Sequence, residues 1–183
     1  MATGGTLNWQ DTQRFYGWDI DGPAFAQIIV ALWNANLPGV QQVITAHPEL
    51  LQADELLQTA SRPPGHWHPG HGGEVPADKG RDGQRAEVVA WLIASGADPN
   101  QRSRRRRDLG LHQAARFGLA ETIAVHLANG ADPGVKAKDG ATALHRAAKF
   151  GYQTAIDALL AGGADPQVEN LAGLTPAQLL KDE

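Results

Sequence analysis

Two clusters of side chains in this chain have residue types and spacings that could support binding or chemistry. The first is rich in histidine: His66, His68 and His71 lie within six residues of one another, and Glu74 follows closely. Zinc and nickel accept imidazole and carboxylate ligands of this kind. No second pair of ligands stands at a known metal-binding spacing, and Trp67 could instead fill a groove between helices. A metal site and a structural or partner-contacting loop both stay open, and the loop is favoured.

The second cluster is a run of arginines that interrupts the sequence at 102–107. Arg102 is followed by Arg104, Arg105, Arg106 and Arg107. Guanidinium groups bind carboxylates and phosphates through paired hydrogen bonds, so the run favours an acidic protein surface as its partner. The chain's own acidic N-terminal segment is an alternative partner, and a solvated tip without a partner is another. Nucleic acid is disfavoured, because the cluster is short, lacks interleaved aromatic residues and belongs to a chain of net charge −4.

Both clusters interrupt a segment that repeats itself every 33 to 34 residues. The string GADP occurs at 96–99, 130–133 and 163–166, and LHQAARFG at 111–118 returns as LHRAAKFG at 144–151. A fixed period of this length predicts stacked helical hairpins, because each unit can bury its apolar face only against its neighbours.

The unit at 139–163 shows how residue types define the elements of one repeat. Gly140 predicts a tight turn, since glycine adopts a positive φ without steric cost, and Thr142 predicts the cap of the helix that follows. Gly151 predicts the end of this first helix. A second helix is expected at about 153–161, where a left-handed glycine cap ends it.

These units resemble the ankyrin repeat family. TALH at 142–145 matches the family's Thr-Pro-Leu-His motif with alanine in place of proline, and GLTP at 173–176 restores the proline. The GADP strings match the family's Gly-Ala-Asp ending, and matching motifs cover roughly 84–180. The resemblance implies an all-α, ankyrin-type solenoid of helix-turn-helix units, with inner and outer helices and short β-like finger turns. It also implies binding of other proteins through the fingers and inner helices, mostly without catalysis.

The repeats divide the chain into an aromatic and acidic N-terminal segment, 1–22, and an ankyrin repeat domain, 23–183. About four helix pairs and a C-terminal half repeat are predicted, with degraded end units acting as polar caps. An insertion at about 62–83 is expected, because 54 residues separate Leu57 from Leu111 where one period needs 33. The N-terminal segment is expected to cover the first helix pair, although its aromatic residues could anchor a partner instead.

Three further histidines fall within the repeats. His112 and His145 recur at the repeat period, and in the resembled family the matching histidine bonds the backbone of a neighbouring loop. Both are therefore interpreted as structural. His126 stands on an outer helix and is predicted to face solvent.

The leading functional hypothesis is a non-catalytic interaction module that holds a protein partner in its concave face. The sequence has no phosphate-cradling GxxxxGK[ST] and no GxSxG turn, so an enzyme is disfavoured and no cofactor is expected. The alternative is a small-ligand or metal-binding protein, or an unusual enzyme, with its site between the histidine-rich insertion and the N-terminal segment. The predicted partner contacts are Arg104, Arg105, Arg106, Arg107, Arg116, Phe117, Arg146, Lys149 and Phe150.

Composition and apolar runs indicate the class of protein and its expected location. The 183 residues suit a single domain, and 42% hydrophobic and 20% charged residues are typical of a folded protein. The absence of cysteine excludes disulfides and thiolate metal sites. No apolar run approaches the length of about 20 residues that spans a bilayer, and the first residues do not have the pattern of a secretory signal. A cytoplasmic protein without a membrane partner is therefore expected.

Overall fold

A computed structural model describes residues 22–53, 55–63 and 81–180, and these residues form an all-α stack of helical hairpins. The fold class predicted from the repeat is thus confirmed. The helices are α1 Gly22–Trp33, α2 Leu37–Ala46, α3 Leu56–Ala60, α4 Asp82–Ala94, α5 Gly110–Arg116, α6 Ala120–Ala128, α7 Ala143–Lys149 and α8 Gln153–Ala161. Short 3-10 turns at Pro48–Gln52 and Ala177–Leu179 complete the described structure, in which no helix is long and apolar enough to cross a membrane.

The helices alternate between two layers. The inner helices α1, α3, α5 and α7 pack on one another in sequence order, and the outer helices α2, α4, α6 and α8 do the same. The 3-10 turn at Ala177–Leu179 packs on α7 as the beginning of a further unit. Two apolar clusters fill the stack, one centred on α1 to α4 and one on α5 to α8.

Alanines and glycines of the inner helices let neighbouring helices approach closely. Ala114, Ala115, Ala147 and Ala148 are all buried at the contact between α5 and α7. Gly110 begins α5, and a Cβ there would lie only 2.6 Å from Cε1 of a buried histidine on α6. This explains why position 110 is glycine, where the matching positions of the next two units are Ala143 and Pro176.

The inner and outer layers are tied across the repeats by buried polar groups on α4. The guanidinium of Arg85 donates to the carbonyls of Leu32 and Ala60, at 3.3 and 2.9 Å, and so joins the ends of α1 and α3. The carboxylate of Asp82 accepts hydrogen bonds from the backbone N–H of Thr122 at 3.0 Å and from its hydroxyl at 2.7 Å, which caps α6. Asp82 therefore belongs to the outer helix, although the sequence placed residues 82 and 83 in the insertion predicted at about 62–83.

The loops between consecutive units form a row of fingers. Finger 1 comprises residues 97–109, and finger 2 comprises residues 131–142. In finger 1 the N–H of Ser103 donates to the carbonyl of Asp108, and in finger 2 the N–H of Ala137 donates to the carbonyl of Ala141, each at 2.9 Å. The turn of finger 1 is therefore one residue longer, which accounts for the 34-residue spacing of the first two GADP strings.

The two histidines interpreted as structural have that role. Nδ1 of His112 accepts from the N–H of Leu109 at 3.2 Å, and Nε2 lies 3.2 Å from the carbonyl of Ala141 in the next finger. His145 repeats the arrangement with Thr142 at 3.1 Å and the carbonyl of Leu174 at 3.0 Å. Because Nδ1 accepts in both cases, Nε2 carries the proton and donates it to the neighbouring unit.

Two expectations from the sequence are wrong. His126 is fully buried rather than solvent-exposed, and its Nε2 lies 2.8 Å from the hydroxyl of Ser61. The last unit is not a polar cap, because Leu171 is 79% exposed and Leu174 and Leu180 are exposed beside it. The apolar side chains of that unit have no helix packed over them among the described residues.

Candidate functional site

A cleft of about 350 Å³ opens where fingers 1 and 2 meet the inner helices α5 and α7. We call it the arginine cleft. Five cationic side chains and two carboxylates face it, so its formal charge is 5 − 2 = +3 when histidine is neutral. Its lining residues are Arg105, Arg106, Asp108, His112, Gln113, Arg116, Lys138, Asp139 and Arg146.

The base of finger 1 is fixed by a buried carboxylate. Asp108 is only 4% exposed and accepts hydrogen bonds from the hydroxyl of Ser103 and from the side-chain amide of Gln113, the latter at 2.5 Å. The amide of Gln58 on α3 donates to the carbonyls of Asp108 and Gln101, at 3.2 and 2.7 Å. The oxygens of Asp108 are thereby engaged in holding the finger, and they do not neutralise the arginines by direct ion pairing.

The second carboxylate is engaged in the same way. The guanidinium of Arg146 on α7 lies 2.8 and 2.9 Å from the two oxygens of Asp139 at the tip of finger 2. Partial burial on its own would raise the pKa of Asp139. The nearby Arg146 and the hydrogen bonds that the carboxylate accepts outweigh burial and hold that pKa below its usual range. This ion pair ties finger 2 to the inner helix.

Arg116 projects into the cleft from the last turn of α5 and is half-buried. Its guanidinium carbon lies 6.0 Å from the centre of the Phe117 ring, within the distance of a cation–π contact. Burial, followed by the like charges of Arg106 and Arg146, lowers the pKa of Arg116. Burial is the largest cause of this shift, and Arg106 and Arg146 act in the same direction while Asp108 opposes them.

His112 adds no positive charge to the cleft at neutral pH. Its ring is 2% exposed, and burial lowers its pKa to about 4, although Asp108 opposes that shift. The neutral ring instead links α5 to finger 2 through the hydrogen bonds described above. The cationic character of the cleft therefore comes from its arginines and Lys138.

The predicted partner contacts divide into three groups. Arg105, Arg106, Arg116 and Arg146 come together in the cleft, although they lie on three different elements.

Arg104 and Arg107 are exposed on the same finger but do not line the cleft. Lys149 and Phe150 are exposed at the end of α7, where the Phe150 ring stacks on Tyr152 with centroids 6.0 Å apart. Phe117 is different, because it is only 8% exposed and packs in the core. Its ring is covered by the stack, so its inclusion among the partner contacts is wrong.

The histidine-rich cluster lies outside the described residues, as do its four predicted ligands His66, His68, His71 and Glu74. Within the described part of the chain, no group of three or more histidine, aspartate or glutamate side chains is placed to hold a metal ion. Residues 1–21 of the N-terminal segment, which was predicted to be a cap or an anchor, also lie outside the described residues.

Sequence reasoning missed four residues of the cleft: Asp108, Gln113, Lys138 and Asp139. A signal for two of them was present, because Lys138 and Asp139 occupy the turn of finger 2 that follows the arginine turn at one repeat period. Side chains at matching positions of stacked units lie next to each other. Asp108 and Gln113 gave no such signal, since their role depends on contacts that only the folded finger makes.

Comparison with known proteins agrees with the repeat fold. The family model for ankyrin repeats matches residues 80–170 in three copies, a segment that contains α4 to α8 and fingers 1 and 2. Repeats of this family are generally modules for protein–protein interaction. No curated protein matches the chain. The period, the stacked hairpins, the finger turns and this match together show that the chain belongs to the ankyrin repeat family.

Proposed function

We propose that this protein is a non-catalytic interaction module whose concave face binds an acidic segment of a protein partner in the arginine cleft. The observation that carries the proposal is the surplus of positive charge in a recess of the binding surface. Ankyrin repeats supply the general role of protein binding. The positive charge of the cleft indicates that the segment it binds is acidic.

Charged side chains bind an ionic group more strongly in a partly buried cleft than on an exposed surface. An ion pair between exposed side chains contributes only about 0–1 kcal/mol, because water and salt screen it. A hydrogen bond to a charged group that is partly removed from water contributes more, about 1.5–3 kcal/mol. Arg116 is half-buried while Arg105 and Arg106 are exposed. We therefore expect Arg116 to govern the dissociation rate and the finger arginines to govern the association rate.

An aromatic edge next to the cleft adds an apolar component to the proposed surface. Phe150 is 45% exposed and is the residue that ends α7, four positions after Arg146. Large aromatic side chains are enriched among the residues that dominate binding energy. A partner segment that carries carboxylates followed by an apolar side chain fits both features.

The test compares two variants of the same finger that carry equal charge changes. Arg105→Gln with Arg106→Gln removes two arginines that line the cleft, and Arg104→Gln with Arg107→Gln removes two that do not. A partner is first identified by crosslinking in cell extract with the unmodified protein. Its affinity for all three proteins is then measured by titration between about 0.1 M and 1 M salt, over which the Debye length falls from about 10 Å to about 3 Å.

The cleft variant is expected to bind about tenfold or more weakly than the unmodified protein, with a shallower salt dependence. The control variant should bind within about threefold of the unmodified protein, because its arginines act only through the long-range field. Equal losses in the two variants would mean that net charge alone drives binding. An identified partner that binds all three proteins alike would rule out the cleft as the binding site.

A further inference from the structure

Guanidinium groups reach the arginine cleft from three separate elements. Arg106 comes from the tip of finger 1, Arg116 from the inner helix α5, and Arg146 from the inner helix α7. Lys138 adds an ammonium group from finger 2. Cations that converge from separate elements surround a ligand, whereas cations along one strand or helix would line only one side of it.

The two carboxylates that line the cleft are engaged with other groups of the protein. Asp108 is buried and bonded to Ser103 and Gln113, and the oxygens of Asp139 contact Arg146. Within the described part of the chain, no carboxylate forms an ion pair with Arg106, Arg116 or Lys138. Placing like charges around a half-buried guanidinium costs free energy, and an anionic ligand would recover it.

Finger 1 holds its arginines at the cleft before any ligand arrives. The N–H of Lys138 donates to the carbonyl of Arg106 at 2.8 Å, so the tips of the two fingers are bonded to each other. Arg107 adopts φ 54°, in the left-handed region, where finger 2 has Gly140 at φ 75°. A non-glycine residue in this region is strained, and such strain concentrates at ligand sites, where the surrounding structure maintains it. Because the backbone of the finger is already fixed, only the arginine side chains have to be ordered when a ligand binds.

The number and arrangement of the donors distinguish between acidic ligands. A carboxylate brings one negative charge and two oxygens, while a phosphate monoester brings a charge of about −1.5 to −2 and three strong acceptor oxygens. A cleft in which Arg106, Arg116 and Lys138 form no ion pair with a described carboxylate, and which has guanidiniums on three sides, is better matched by the phosphate. Its volume of about 350 Å³ lies in the range of sites that enclose a small group, about 300–1,000 Å³.

We propose that the arginine cleft recognises a phosphorylated side chain of the protein partner, with Arg106, Arg116 and Arg146 donating to its phosphate oxygens. This inference rests on the proposed function and specifies the chemical class of its ligand. Binding would then follow the phosphorylation state of the partner. The unphosphorylated acidic segment would still dock, but with lower affinity.

The test uses three fluorescent peptides that share one sequence of alternating glycine and glutamate and differ only at a central residue. That residue is serine, glutamate or phosphoserine, and binding to the full chain is followed by fluorescence anisotropy. The phosphoserine peptide is expected to bind about tenfold or more tightly than the glutamate peptide. Inorganic phosphate serves as a competitor that lacks the peptide.

Two variants assign the preference to the cleft. Arg116→Lys keeps the charge but loses the planar pair of donors, so it should reduce the ratio of phosphoserine to glutamate affinity to about threefold or less. Arg104→Gln, outside the cleft, should leave that ratio unchanged. Circular dichroism checks the fold of each variant, and the exposed Arg106→Gln replaces Arg116→Lys if the latter does not fold.

The outcomes separate this inference from the proposed function. Equal affinity for the phosphoserine and glutamate peptides, with both above the serine peptide, would overturn the phosphate inference and leave the acidic-partner proposal standing. No measurable binding of any of the three peptides would count against both proposals. Inorganic phosphate that binds as tightly as the phosphoserine peptide would identify a free anion, rather than a partner side chain, as the ligand.

Discussion

Replacing His126 with glutamine should make the fold less sensitive to acid. The imidazole of His126 is fully buried between α6 and the end of α3, and burial lowers its pKa to about 4. In the unfolded chain the ring is in water, with a pKa near its ordinary value of 6.5. The folded and unfolded states therefore bind protons in different pH ranges.

The sign and size of the effect follow from this difference. As the pH falls from 6.5 to 4, the unfolded chain takes up a proton that the folded chain excludes, so acid favours unfolding. The stabilising contribution of the neutral ring is present in full above pH 6.5 and is lost over this window. At about 1.4 kcal/mol per unit of pKa, the loss is about 3 kcal/mol for His126. His112, with its pKa also lowered to about 4, contributes a similar loss.

Two such losses are comparable with the whole stability of a small domain, about 5–15 kcal/mol. Glutamine can still hydrogen-bond the hydroxyl of Ser61, but it does not titrate. The unfolding free energy of the glutamine variant should therefore change by about 1 kcal/mol less per pH unit near pH 5 than that of the unmodified protein. His145, whose pKa burial also lowers, and the carboxylates titrate alike in both proteins and cancel in the comparison.

Urea unfolding followed by far-ultraviolet circular dichroism at several pH values between 7 and 4 measures this dependence. Ser61→Ala is the matched control, because it removes the hydrogen-bond partner but leaves the buried ring. It should lower stability at every pH and keep the slope of the unmodified protein. If His126→Gln and the unmodified protein lost stability equally per pH unit, the ring would be accessible to protons in the folded state, and the argument from burial would fail.

Four further substitutions test the packing and the turns of the repeats. Leu144→Ala should cost about 2–5 kcal/mol and speed hydrogen exchange in the adjacent units as well as its own, whereas exchange confined to its own hairpin would contradict the stacked fold. Gly110→Ala should lower the urea midpoint strongly, because the new Cβ would lie 2.6 Å from Cε1 of His126; an unchanged midpoint would mean that this contact can relax. Arg107→Gly should raise stability by up to about 1 kcal/mol by relieving a left-handed φ, while Gly140→Ala in the next finger should lower it, and thermal melts of the pair with the same sign would refute the strain.

The sequence predicted the regular half of the fold well because local signals and packing agree there. The helix expected at about 153–161 is α8, Gln153–Ala161, and the turn glycine Gly140 has the positive φ predicted for it. Thr142 precedes α7 as the predicted cap, and its hydroxyl lies 2.9 Å from Nδ1 of His145. In these units each glycine, cap and apolar position recurs at a fixed period, so every repeat supports the interpretation of the next.

The polar groups that join the units could not be predicted, because sequence patterns treat a charged residue as exposed. Arg85 is 1% exposed and Asp82 is 6% exposed, whereas Glu87, the remaining charged residue of that helix, is exposed. Their partners lie between 25 and 53 residues away along the chain. The buried state of His126 likewise depends on Ser61, 65 residues before it. Removing either charged partner would leave buried polar groups unpaired, so these contacts help to set the order of the stack.

Part of the candidate site could likewise be predicted from the sequence, and part could not. Local composition is enough to single out the arginine run and to place Arg116 and Arg146 on inner helices. The cleft itself arises because finger 1 is one residue longer than finger 2 and because Lys138 bonds the carbonyl of Arg106. Neither feature is visible in one repeat alone, since both depend on how two stacked fingers meet.

The positive charge of the cleft lowers the stability of the fold around it. Arg106, Arg116 and Arg146 repel one another, and Arg107 holds a strained φ at the same finger. These costs are offset locally, by the buried Asp108 that fixes the finger and by the ion pair of Arg146 with Asp139. A finger selected for stability alone would have the glycine turn found in the next unit. The more costly turn brings Arg105 and Arg106 to the same cleft as the half-buried Arg116, and under the proposed function an anionic ligand would stabilise that arrangement.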